Sequence, residues 1–240
     1  LIIDTANKGT ENVFRAAAAC GVKRVVYTSS VAAIGSTPKN VIKDESNWND
    51  NFSLPYTRAK TESERRAWEL AKELDIDLRV INPSGVLGGS FSRPTPSTDI
   101  IGDAMKGKYP LVPKIPLAFV HVEDVATAHR LAYEIDDAHG RYVLAPYQDG
   151  TIHDLLKRGK KLYPKMKFPR FGIPLWLLPL IVFQDWFMGL FTGKRLLTRS
   201  AAKAFSKGDS KYSSKKVEDE LGISWKSYDD CIHDTVEAYR

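Results

Sequence analysis

Apolar residues recur near the start of the chain with the spacing of a helix. Val13, Ala16, Ala17 and Cys20 share one face and Gly21 supplies a stop, so the pattern predicts a helix over 10–20. No complete strand precedes it. KRVVYTSS follows, a short apolar run that reads as a buried strand ending at Ser29 or Ser30. After a polar loop rich in Asn, Asp, Ser and Pro, a second helix is predicted over 56–74. Ser53 and Pro55 open it, and Ala59, Ala67, Leu70, Ala71 and Leu74 form its apolar stripe. DLRVINP then reads as another buried strand, closed by Pro83.

A loop rich in Ser, Pro and Gly is expected over 84–98, and PLAFVHV leads into a helix at 123–135. Helices alternating with apolar strands predict a parallel sheet covered on both faces. In such a sheet each crossover helix carries the chain from one strand to the next, so the opening helix implies further residues upstream. From Arg141 the pattern changes to a short strand, RYVLA, then helices and the apolar stretch IPLWLLPLIVFQDWFMGLF, read as mostly a second region beside the sheet. Pro174 and Pro179 interrupt this stretch and Gln184 and Asp185 follow, so it falls short of the roughly 20 residues that cross a bilayer. Three readings stand for 173–191: core or lid of a substrate region, a contact within a homodimer, or a peripheral segment on a membrane surface. The last gains from the cations just before it.

At 240 residues, 43% of them hydrophobic, the chain can bury one large or two small cores. Cys20 and Cys231 lie far apart without ligand spacing, which excludes a disulfide framework or a zinc site and favours a reducing, cytoplasmic setting, with a single bridge left open. The net charge of +6 is modest, and its one cluster, seven cations over 157–170, reads first as a solvated helix and loop. No nucleic-acid motif accompanies it, so no nucleic-acid partner is expected. His121 and His129 read as packed or surface residues, and no metal site is expected. Asn51, Phe52 and Ser53 match a glycosylation sequon with nothing else pointing to secretion.

Tyr-x-x-x-Lys occurs three times, as Tyr56/Lys60, Tyr163/Lys167 and Tyr212/Lys216. On a helix this spacing puts both side chains on one face. Only Tyr56/Lys60 follows a strand that ends in serines, at the carboxyl edge where open α/β sheets bind ligands. Tyr163 precedes Pro164 in the basic loop and Tyr212 lies in KYSSKK, which looks like a surface helix start. Both read as structural.

Four blocks, VVYTSSVAAIG, YTRAK, INPSGVLG and FVHVEDVATAH, follow in that order over nearly the whole chain. They resemble the extended short-chain dehydrogenase/reductase (NAD-dependent epimerase/dehydratase) family, most of all its dihydroflavonol-reductase-like branch. ANKGTENVFRAA is similar to that branch's A-x-x-G-T-x-N-V helix, whereas the wider family more often has Asn where Ala6 stands. The resemblance implies a Rossmann-type doubly wound parallel sheet with a smaller carboxy-terminal substrate region. The sheet would be incomplete at the amino terminus, because the family's G-x-x-G-x-x-G phosphate turn is missing. Gly85, Gly88 and Gly89 follow a later strand and lead to Pro94 and Pro96, so they are not that turn. Residues 1–90 and 117–136 are assigned to the dinucleotide-binding domain, and 91–116 and 137–240 to substrate binding.

The resemblance also implies roles. Tyr56 would be the general acid toward a substrate carbonyl oxygen, or the base in reverse. A phenol near pKa 10 needs help at neutral pH, and Lys60 would favour its phenolate and reach the nicotinamide ribose. Ser30, with Ser29 as its close rival, would hydrogen-bond the substrate oxygen; its plain alternative is a strand-end hydroxyl bonding its own backbone. Pro83, Ser84, Gly85 and Val86 match the segment whose backbone holds the nicotinamide, although the family often has Pro where Gly89 stands. The implied cofactor is NADP or NAD, with NADP favoured by the branch. The implied activity is NAD(P)-dependent reduction of a carbonyl, or oxidation of a secondary alcohol, in a small and fairly apolar substrate. Its alternatives are a nucleotide-sugar epimerase or dehydratase and a non-catalytic NAD(P)-fold binding protein.

Overall fold

A computed structural model describes residues 1–38, 40–109, 111–169, 171–177 and 210–240. Helix α1 (Ile2–Ala19) is longer than the expected 10–20 and turns a different face inward. Thr10 and Phe14 are buried, while Val13 is 62% exposed and Ala16 and Cys20 face solvent. Phe14 carries the largest apolar surface of the segment. Its helical neighbours Thr10, Ala17 and Ala18 follow it inward, which rotates the stripe away from Val13.

Strand β1 (Arg24–Thr28) stops one residue before Ser29. It pairs in parallel with β2 (Asp77–Pro83), which covers the whole DLRVINP run, and β2 pairs in parallel with β6 (Gly140–Leu144). In the order β1-β2-β6 the first strand is an edge and only half-buried, whereas β2 is buried from Leu78 to its end. The placement of β6 corrects the sequence reading, which set RYVLA in the second region. It closes this sheet, with Val80 opposite Arg141 and Pro83 opposite Leu144.

Side chains alternate across β2. Leu78 and Val80 pack with Phe14, Ala67 and Leu70 under α1 and α2 (Pro55–Glu73). Ile81 faces the other way, against Ala128 and Ala132 of α4 (Val122–Glu134) and Val217 and Leu221 of α6 (Lys215–Leu221). Helices on both faces of a parallel sheet are the α/β architecture the alternation predicted. Arg79, buried in β2, donates to the carbonyls of Ala132, Ile135 and Asp136 at the end of α4, so a cation sits where the helix dipole is negative.

The expected loop over 84–98 instead holds strand β3 (Gly85–Leu87) and the start of α3 (Pro96–Met105). Pro96 opens α3, and Thr95 and Thr98 exchange side-chain to backbone bonds as a capping box. β3 pairs in parallel with β5 (Phe119–His121), and Gly85 is where the two approach: a Cβ there would lie 2.9 Å from the Phe119 ring. A second core joins Leu87, Ile101, Phe119, Leu155, Leu156 and Ile232, contributed by β3, α3, β5, α5 (Ile152–Leu162) and α7 (Tyr228–Ala238). Each such side chain contributes about 1.5–3 kcal/mol when fully buried.

Cys231 lies inside this core and Cys20 on the surface, both as free thiols, so the single bridge left open on sequence does not form. β4 (Leu111–Pro113) pairs with β7 (Phe171–Ile173). Most of the apolar segment 173–191 lies outside the described residues. Its beginning ends β7 and forms a short turn, Leu175–Leu177, with Trp176 76% exposed.

Candidate active site

The carboxyl ends of β1 and β2 open onto a cavity of about 340 Å³. Ser30, Tyr56, Ser84 and Gly85 line it from the sheet side, and Ile115, Pro116, Leu117 and Tyr212 from the other. Among the described residues, no Asp, Glu, Lys, Arg or His lines it. Pro55 fixes the first turn of α2, so Tyr56 stands at the helix entry, 51% exposed at the cavity. Leu54, not Ser53, is the N-cap.

The two candidate serines have different partners. Ser29 is 3% exposed and donates from Oγ to the buried Glu64 carboxylate at 2.5 Å, while its amide bonds Ile81 across the sheet. Ser30 faces the cavity, and its Oγ accepts from the amide of Ala32 at 3.1 Å, capping the short helical turn Val31–Ala33. That local bond is the plain alternative foreseen for a strand-end serine. It uses a lone pair and leaves the hydroxyl proton free to be donated.

Lys60 follows Tyr56 by one turn. Its ammonium donates to the Thr28 carbonyl at 3.3 Å, beside the serine pair, and does not itself line the cavity. Burial holds the Lys60 ammonium below the usual lysine range, and the Glu64 carboxylate offsets part of that.

Of the four residues in the next segment, Ser84 and Gly85 reach the cavity. Pro83 ends β2 opposite Leu144, and Val86 packs from β3 on the core between the sheet and α4. The Ser84 amide bonds Leu144, and its Oγ is buried with no partner among the described residues.

Sequence reasoning passed over a buried polar cluster behind this corner. Glu64 is fully buried and accepts from Arg141 Nε at 2.6 Å, Asn82 Nδ2 at 2.8 Å and the Ser29 hydroxyl. Arg141 also donates to the carbonyls of Glu45 and Asn47 and lies over the Trp48 ring at 4.0 Å. The signal was available: Glu64 falls on the same helical face as Lys60 and Ala67, a carboxylate on the stripe that turns inward.

Tyr212 corrects another reading. It is not at a surface: 5% exposed, it donates to the Gly35 carbonyl at 3.2 Å, and burial pushes its phenol up to about 12. Tyr163 bonds His233 and Glu237 on the surface, apart from the cavity. His121 is buried, accepting from the Glu123 amide and bonding Asp234, and His129 bonds Thr28 and the Val125 carbonyl. No group of three metal-ligating side chains occurs among the described residues. In the basic cluster, Lys160 ties the loop after α5 back to the helix by donating to the carbonyls of Pro164 and Met166. Asn51 of the sequon lines the cavity, and its Oδ1 accepts from the Ser53 amide.

A parallel sheet covered by helices on both faces, with a cavity at its carboxyl edge, defines an α/β protein of the Rossmann class. The family profile described as "NAD dependent epimerase/dehydratase family" matches residues 1–145, and the chain belongs to that family. Its curated relatives include cinnamoyl-CoA reductase 2 of Medicago truncatula, 32% identical over 248 aligned positions that cover 99% of this chain and 65% of that protein. The chain thus spans about two thirds of that relative's length. Among solved structures, gox2253 superposes with a TM-score of 0.82 at 27% identity, covering 99% of this chain and 72% of the other. Gre2 of Candida albicans, solved as a complex with NADPH, superposes with a TM-score of 0.70 at 28% identity, over 98% and 69% of the two chains.

Proposed function

We propose that the protein is an NAD(P)-dependent reductase, or in reverse a dehydrogenase, acting on the carbonyl or secondary alcohol of a small, neutral, largely apolar compound. The observation that carries this reading is the uncharged cavity holding Ser30, Tyr56 and Ser84 at the sheet's carboxyl edge, with Lys60 one turn behind. A nucleotide-sugar substrate would bring a diphosphate to a pocket where, among the described residues, no cation waits. That lining supports a neutral substrate over the epimerase or dehydratase alternative.

The residues present suit the nicotinamide end of a cofactor. The buried, unpartnered Ser84 hydroxyl and the side-chain-free Gly85 leave a polar, close-approach surface beside Tyr56. Tyr56, Lys60 and the stretch Pro83, Ser84, Gly85 and Val86 would hold it, and it would supply hydride to the carbonyl carbon. The NADPH bound by the related Gre2 supports NADP over NAD.

In the reductive direction Tyr56 gives its phenolic proton to the carbonyl oxygen. Ser30, oriented by its bond from Ala32, donates to the same oxygen and stabilises the charge that develops there. Lys60 places a positive charge one turn away and is itself fixed by the Thr28 carbonyl.

Residues 1–90 with 117–136 are read as the cofactor side and 91–116 with 137–240, apart from β6, as the substrate side. The two free thiols support a reducing, cytoplasmic setting. No helix among the described residues is long and apolar enough to cross a membrane. The exposure of Trp176 supports an external contact at the start of 173–191, with a second copy of the chain or a lipid surface.

The test is turnover of NADPH or NADH with a panel of aldehydes and ketones, alongside Tyr56→Phe. The variant is expected to lose turnover while keeping cofactor affinity within about twofold, since only the proton is removed. Undiminished turnover in the variant overturns the assignment.

A further inference from the structure

We propose that Glu64 is a positioning residue for the Ser30, Tyr56 and Lys60 site, clamping the helix that carries Tyr56 to the strand end that carries Ser30; this rests on the reading of that site given above. Three contacts converge on three consecutive residues. Lys60 bonds the Thr28 carbonyl at 3.3 Å, Glu64 takes the Ser29 hydroxyl at 2.5 Å, and Asn82 donates to the Ser30 carbonyl at 3.2 Å and to Glu64 at 2.8 Å. Two of the three come from α2, at positions one and two turns beyond Tyr56. The relative placement of Tyr56 and Ser30 is therefore set by polar bonds of fixed direction, and Glu64 joins α2 to β2, β6 and the residue after β1.

A fully buried carboxylate is costly to desolvate and persists only where it is paired and hydrogen-bonded. The Glu64 carboxylate takes Arg141 Nε on Oε1, and on Oε2 it takes Ser29, Asn82 and, at 3.4 Å, the second guanidinium contact from Arg141. Arg141 is held in turn by the Glu45 and Asn47 carbonyls and by Trp48. A salt bridge of this kind is weak support for stability alone, because an apolar pair of similar volume does as well. Its directional reach to the strand end is what an apolar pair would lack.

Glu64 also acts on the ammonium of Lys60, one turn back on its own helix. The groups facing Glu64 are Arg141 from β6, Asn82 from β2, Ser29 after β1 and Lys60 from α2, with Glu45 in the adjoining loop accepting the Val143 amide. Burial lowers the Lys60 ammonium and Glu64 raises it, so neutralising Glu64 makes Lys60 lose its proton at lower pH. A site that needs the ammonium then loses turnover earlier as pH rises.

The experiment compares Glu64→Gln, Ser29→Ala and the double variant Glu64→Gln/Arg141→Met in the full-length protein. The readouts are kcat, KM, cofactor affinity and the pH profile of kcat. A displacement of Ser30 from Tyr56 is expected to cost about tenfold to a hundredfold in kcat, with cofactor affinity unchanged. The alkaline limb moves to lower pH in both Glu64 variants and stays in place in Ser29→Ala. The double variant removes the unpaired guanidinium, so it is expected to regain stability and keep the kinetic defect. Wild-type kcat and pH profile in a folded Glu64 variant overturn the proposal, as does wild-type kcat in Ser29→Ala, which leaves the ion pair intact and carries the test where the charge variants do not fold. Tyr56→Phe separates the two levels: if it turns over normally, the reading of the site is wrong whatever Glu64 does.

Discussion

The two walls of the cavity are built by opposite means. On the sheet side, Ser30 and Tyr56 are backed by Glu64, Arg141, Asn82 and Ser29, polar groups bonded to one another at defined angles. On the far side, Leu117 and Tyr212 rest on apolar cores that include Ile34, Ala118 and Val143. Hydrogen bonds fix direction, whereas apolar packing fixes volume and tolerates repacking. The wall that holds Ser30 and Tyr56 is thus fixed in direction by polar bonds, and the wall opposite is fixed by packing alone.

The contrast can be broken most forcefully at Arg141. Arg141→Met leaves the Glu64 carboxylate buried without its cation, and a loss of about 3–5 kcal/mol in unfolding free energy is expected by denaturant titration. Ser30→Ala should lower kcat about a hundredfold, equivalent to about 2.7 kcal/mol, with cofactor affinity unchanged in a fluorescence titration. On the apolar wall, Tyr212→Phe removes one bond to the Gly35 carbonyl. It should cost about 1 kcal/mol of stability and alter KM across the substrate panel more than kcat.

The smallest effect concerns pH. Because burial depresses the Lys60 ammonium, kcat should be full below that depressed value and fall as pH rises through it, before the ordinary lysine range is reached. A kcat profile flat up to that range would mean that Lys60 charge does not matter to the polar wall.

Much of the sheet side was legible in the sequence. DLRVINP coincides with β2, and a tyrosine and lysine one turn apart, following a strand with two serines just past its end, are read locally, from helix and strand periods alone. Features set by distant partners were not. Arg141 meets Glu64 from 77 residues away, and no local pattern reports such a pairing. Tyr212, among lysines and serines, reads as surface until β6 and the turn after β1 close over it. The stretch that became β3 and α3 was hidden by its Ser, Pro and Gly content, although Thr95, Pro96 and Thr98 spell a helix start. On α1 two stripes competed, and the large ring at Phe14 decided between them.

The bond from the Ala32 amide to Ser30 makes the turn Val31–Ala33 depend on the hydroxyl at position 30. One oxygen holds the turn and leaves its own proton free to be donated, so alanine forfeits both at once, while threonine offers the same oxygen with a methyl beside it. Ser30→Thr is therefore expected to keep the turn that Ser30→Ala loses.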